Sequence, residues 1–122
     1  MRLVLDSDPT LHTVRGYGDG EVLVGERRLT APCILSAARL IEEWSVRAPA
    51  QLDTAALAPL LELAPAIVLL GYGEHHAPPP RAPLRELQRR GIATEVMNLG
   101  AACRTYNVLV HDGRAVVAAL FP

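Results

Sequence analysis

The chain has 122 residues, a mass of 13.2 kDa and a net charge of −1 from twelve basic and thirteen acidic side chains. All twelve basic residues are Arg and none is Lys, which excludes Schiff-base chemistry, a lysine general base and a P-loop lysine. The balanced charge offers no global field to nucleic acid, and no apolar run reaches the ~20 residues of a membrane span. Residues 1–10 lack the apolar core of a leader, so one cytoplasmic domain over residues 1–122, not membrane-spanning, is expected.

Only five residues are aromatic, so the core is built from Leu, Val, Ile and Ala. Residues 11–17 and 21–24 flank Gly18-Asp19-Gly20 and predict a β-hairpin. Gly25-Glu26 sets off a further strand at 27–30, and 33–35 follows Pro32 as another. Residues 39–44 read as a strand end or a single turn, and 48–52 as a linker. Asp53 or Thr54 caps a helix bearing Leu57, Leu60 and Leu61, kept short or kinked by Pro59. Residues 66–70 form a buried strand.

The segment 71–83 holds Gly71-Tyr72-Gly73, His75, His76 and four prolines. Pro83 opens a helix over 84–90, which Gly91 ends. A strand at 92–97 leads to Asn98 as helix cap, a helix over 100–111, an Asp112-Gly113 turn and a last strand at 115–121. Hairpins followed by alternating helix and strand indicate an α/β layer structure with a largely parallel sheet, made mixed by the hairpins or joined by a second small sheet.

Glycines after a strand can present backbone N–H groups to an anion, but the next helix starts too late for a dinucleotide fingerprint or a P-loop. A turn with positive φ at Gly71 or Gly73 is the plainer reading. The histidines, pointing to opposite sides of extended backbone, and Cys33 and Cys103 show no metal-ligand spacing. No metal or other cofactor is expected, and the two thiols are expected to be reduced. On the helix at 100–111, Ala102, Cys103, Tyr106 and Val110 share the inward face, while Arg104 and Asn107 share the outer one with Gly100 and His111. Arg104 and Asn107 are thereby binding candidates, Arg104 for a carboxylate or phosphate, together with Gly71, Tyr72, Gly73 and His75. No residue set completes a catalytic arrangement.

Gly71–Gly73 after its strand, with Met97, Ala101, Ala102, Tyr106, Asn107 and Leu109, resembles the MTH938-like domain family. This is a small α/β family of bacterial and archaeal proteins that includes a mitochondrial assembly factor for respiratory complex I. The resemblance implies a three-layer domain with N-terminal β-hairpins, a mixed, largely parallel central sheet and three helices. Tyr72 departs from the family's GTG, and Asn98-Leu99 replace an Asp-Thr pair, which removes a carboxylate while keeping a cap. Glu95 matches the acid of the family's E-x-M segment, read here as a buried ion-pair partner of Arg104 or a proton-transfer group. The resemblance implies a non-enzymatic interaction or assembly protein whose partners are proteins, respiratory-complex subunits among them. The alternative is an enzyme or binding domain for a small anion, using the glycine loop and Arg104. A homodimer pairing through the last strand at a sheet edge is a third reading.

Overall fold

The computed structural model describes residues 3–5 and 11–122; the rest of the segment read for a leader lies outside them. β2 (Val14–Gly18) and β3 (Glu21–Val24) pair antiparallel across Asp19-Gly20. Both turn residues hold positive φ, 55° and 74°, the backbone that a two-residue hairpin requires and that Asp-Gly tolerates. β4 (Arg27–Leu29) joins β3 and β1 (Leu3–Val4) joins β2, completing a four-stranded antiparallel sheet.

The second sheet has five strands in the order β6-β5-β9-β7-β8. They are β5 (Cys33–Ser36), β6 (Leu40–Ile41), β7 (Ile67–Tyr72), β8 (Ala93–Asn98) and β9 (Val116–Phe121). β7 pairs parallel with both β8 and β9, while β5 pairs antiparallel with β9 and β6. The central sheet is therefore mixed. β9 lies in its middle, which overturns the expectation that the last strand offers an edge for dimer pairing. The reason is composition: all six residues of β9 are buried, alternating between two cores. A strand apolar on both faces is stable only where both faces are covered.

Residues 55–61 form a 3₁₀ turn (Ala55–Leu57) that runs into the single turn α1 (Ala58–Leu61). Asp53 Oδ1 accepts the Ala56 amide at 2.8 Å. α2 (Arg81–Arg89) starts earlier than expected, with Pro83 inside its first turn. Proline is tolerated there because first-turn amides have no intrahelical acceptor. α3 (Leu99–His111) follows β8 directly. β7 passes through α2 to β8, and β8 returns through α3 to β9 on the far side of β7. Right-handed crossovers running in opposite directions place α2 and α3 on opposite faces of the sheet. One face is covered by α3 and the four-stranded sheet, through Tyr106, Val14, Val22, Leu69 and Leu120. The other is covered by α1, α2 and Trp44, through Leu57, Leu60, Leu87 and Phe121.

Cys33 and Cys103 are free thiols in the first core, 1% and 0% exposed. Burial pushes both up to about 12 from 9.0, since a thiolate loses its hydration there. Above pH 9 the unfolded chain releases these protons while the folded chain keeps them. The stability they contribute is therefore complete below pH 9 and is lost between pH 9 and 12. By pH 10 each thiol gives up on the order of 1 kcal/mol. Urea midpoints at pH 8 and pH 10 are expected to show this drop, and a Cys33→Ala/Cys103→Ala double variant to flatten it; an equal slope in both proteins would rule the thiols out.

Candidate functional site

The chain leaves β7 toward one face of the sheet and β8 toward the other, and such a reversal opens a crevice at the carboxyl ends of the two strands. The crevice is a cleft of about 350 Å³. Tyr72, Gly73, Glu74 and His75 form one wall, and Asn98, Leu99 and Gly100, the start of α3, form another. Tyr17 and the tip of the β2–β3 hairpin, Gly18 to Gly20, close the third side, with Pro122 beside them. Asn98 caps α3 as expected, its Oδ1 accepting the Ala101 amide at 2.8 Å. The positive end of the α3 dipole thus faces the cleft, next to the carboxylates of Asp19 and Glu74 and the rings of Tyr72 and His75.

Neither glycine of the Gly71–Gly73 motif has positive φ, so the expectation of a positive-φ turn at these residues is corrected. Gly71 lies inside β7 under α3, where a Cβ would overlap Ala102 Cβ and crowd Leu120. Glycine is required there by close helix–sheet contact. A Cβ on Gly73 would meet the His75 ring at 3.0 Å, so its absence lets that ring fold over the loop. The Gly73 amide donates to the Phe121 carbonyl at 3.0 Å, which ties the loop to the end of β9 and removes this amide from anion binding.

The two histidines do not diverge. The His76 amide closes a turn onto the Gly73 carbonyl at 3.0 Å, and the rings stand 4.1 Å apart between centroids. His75 is exposed at the cleft. His76 is half-buried, with Nε2 3.2 Å from the Pro122 carbonyl and its ring T-shaped to that of Phe121 at 6.3 Å between centroids. The turn, absent from an extended-chain reading, brings the side chains to one side. Among the described residues no group of three or more His, Cys, Asp or Glu is placed to hold a metal ion.

Arg104 and Asn107 do not join these residues. Arg104 is exposed; its Nη1 donates to the Tyr17 hydroxyl and its guanidinium lies 5.8 Å from that ring's centroid. It therefore backs the cleft through Tyr17 and lines a separate hollow with Leu5, Val108 and His111. Gly100 permits this stack, since a Cβ there would sit 2.7 Å from the Tyr17 ring. Asn107 is corrected from the solvated face to the interior. It is 7% exposed, its Oδ1 accepts the Val14 amide at 2.9 Å and its Nδ2 donates to the Val14 carbonyl at 2.8 Å. Glu95 is corrected as well: it is exposed on β8, opposite Leu69 in the ladder, and it is not the buried partner of Arg104. Sequence reasoning missed Tyr17 and the hairpin tip, which read only as a turn, and it took Asn98 only as a cap.

The family described as "Protein of unknown function (DUF498/DUF598)" matches residues 14–121. The human protein named NADH dehydrogenase [ubiquinone] 1 alpha subcomplex assembly factor 3 is 32% identical over 111 residues, which are 89% of this chain and 60% of that protein. The chain thus spans about three-fifths of the length of this relative. A solved Xanthomonas campestris protein superposes with a TM-score of 0.83 at 35% identity, covering 98% of this chain and 92% of that one. A Bordetella pertussis protein described as an Mth938-like domain superposes with a TM-score of 0.78 at 29% identity, covering 100% and 92%. Motif, topology and relatives agree, and the chain belongs to the MTH938-like family, the DUF498/DUF598 proteins.

Proposed function

We propose that the chain is a non-enzymatic assembly-type binding protein and that subunits of a respiratory NADH dehydrogenase are among its partners. The observation that carries this reading is the 32% identity, over 89% of the chain, to a protein named as an assembly factor of that complex. The cleft supports it: Tyr72, His75 and the hairpin tip form a mixed aromatic and acidic rim, and such a rim suits a protein segment. Tyr72 and His75 contact the partner, and Gly71 and Gly73 shape the wall that presents them. Arg104 holds Tyr17 at the cleft's edge.

Affinity purification from the native host at native expression level tests this reading. Respiratory-complex subunits are expected to accompany the wild type and to be lost with His75→Glu. A bait that brings down no such subunit would overturn it. Arg104→Glu is expected to weaken capture with little change in melting temperature, because its bond to Tyr17 is partly solvated. A loss of more than about 2 kcal/mol of folding stability would instead make Arg104 a structural residue.

A further inference from the structure

β8 is the longest strand edge among the described residues. The other sheet ends are β6 and β1, of two residues each, and β4, of three residues with Arg27 and Arg28 in it. Short or charged edges resist pairing with other chains. β8 has six residues and one charge, Glu95. The Ala93 amide donates inward to the Ala66 carbonyl at 3.0 Å, and β8 pairs with β7 from Ala93 to Asn98. Backbone groups alternate sides along a strand, so those of residues 93, 95 and 97 face β7, and those of Thr94, Val96 and Asn98 face outward. Val96 is 37% exposed, although Leu70, its ladder neighbour on β7, is fully buried.

We propose that this edge is a dimerisation surface and that its occupant is β8 of a second copy, antiparallel about a two-fold axis at Val96. The self-complementarity of the strand argues for a second copy. An axis normal to the sheet keeps both sheets' faces aligned only when it passes through a residue position. Centred on Glu95, the pairing would set two carboxylates directly opposite each other, which like charge disfavours. Centred on Val96, each Val96 exchanges N–H···O=C bonds with its counterpart. Glu95 then lies opposite Met97, and Thr94 opposite Asn98. The outward amides of Val96 and Asn98 gain acceptors, and the exposed Val96 side chains cover each other. Two five-stranded sheets become one continuous sheet. Asn98 lines the cleft, so Thr94 of the second copy would stand at its rim. This inference does not rest on the proposed partner-binding role.

Analytical ultracentrifugation of the full chain over a wide concentration range tests it, with hydrogen exchange at the Val96 amide. The wild type is expected to approach twice the 13.2 kDa chain mass at high concentration, with protection of the Val96 amide rising in step. Val96→Pro removes the central outward amide without touching the β7 ladder, and Val96→Lys sets two cations across the axis. Both are expected to be monomeric at every concentration while keeping the native circular dichroism spectrum. A wild type that stays monomeric up to millimolar concentration would overturn the proposal. So would a dimer that survives in both variants, or protection of the Val96 amide only when a different protein is added.

Discussion

Gly71→Ala is expected to lower the melting temperature by roughly 10 °C, the equivalent of about 3 kcal/mol in a domain of this size. The added Cβ would overlap Ala102 Cβ, with Leu120 Cδ2 at 3.3 Å and the Leu99 backbone at 3.5 Å. Ala102 has no rotamer through which to withdraw, so α3 itself must move off the sheet. α3 carries Asn98, Leu99 and Gly100 into the cleft, so the same shift should widen the site. Ala102→Gly removes the opposing methyl, and the Gly71→Ala/Ala102→Gly pair is expected to recover part of the loss despite the helix cost of a glycine, about 1 kcal/mol. Thermal unfolding of the four proteins of this cycle measures the coupling. Additive effects would mean that the two positions do not meet.

Asn107→Ala is expected to cost about 2–4 kcal/mol. The Asn107 amide pairs with both polar groups of Val14, where β2 shifts register against β3 between Val14 and Gly16. The Asn107 amide thus meets the N–H and the C=O of one residue together, as the backbone of a paired strand would. Alanine would strand a buried N–H and a buried C=O together. Asn107→Asp separates the two bonds. A carboxylate still accepts from the Val14 amide but opposes the Val14 carbonyl; once protonated it can donate there. The folded state thus favours the protonated acid and raises its pKa above the unfolded value. The variant should come closest to wild type at acid pH and fall behind as pH rises through the folded pKa. Denaturant midpoints from pH 4 to pH 8 would show this. An Asn107→Ala protein within about 0.5 kcal/mol of wild type would mean that Val14 finds other partners.

Much of the fold was legible from short-range patterns. Alternation around Gly18–Gly20 marked the hairpin, the 3.6-residue spacing of Ala102, Cys103, Tyr106 and Val110 marked α3 and its buried face, and Asn98 marked its start. The same spacing misplaced Asn107. A polar residue at the border of a helix's apolar face looks solvated until the sheet that covers it is known. His75 and His76 were misread because their relation depends on a turn closed by Gly73. Glu95 was misread because burial of β8 depends on its position at the end of the sheet.

The candidate site was half legible. Tyr72, Gly73 and His75 line the cleft, but their sequence neighbours do not complete it. Tyr17 and the hairpin tip arrive from more than fifty positions away, and no local pattern announces that meeting.

Sequence alone determined the β2–β3 hairpin, the strands β7, β8 and β9, the helices α2 and α3, the all-arginine basic set and the family, because each depends on residue type at fixed short spacing. Tertiary structure decided three things: that Gly71 serves close contact with α3, that Asn107 is buried against the backbone of Val14, and that β9 is central while β8 is the edge. Those depend on strand order, which is set by how two cores share the faces of one sheet and not by the preferences of any single segment.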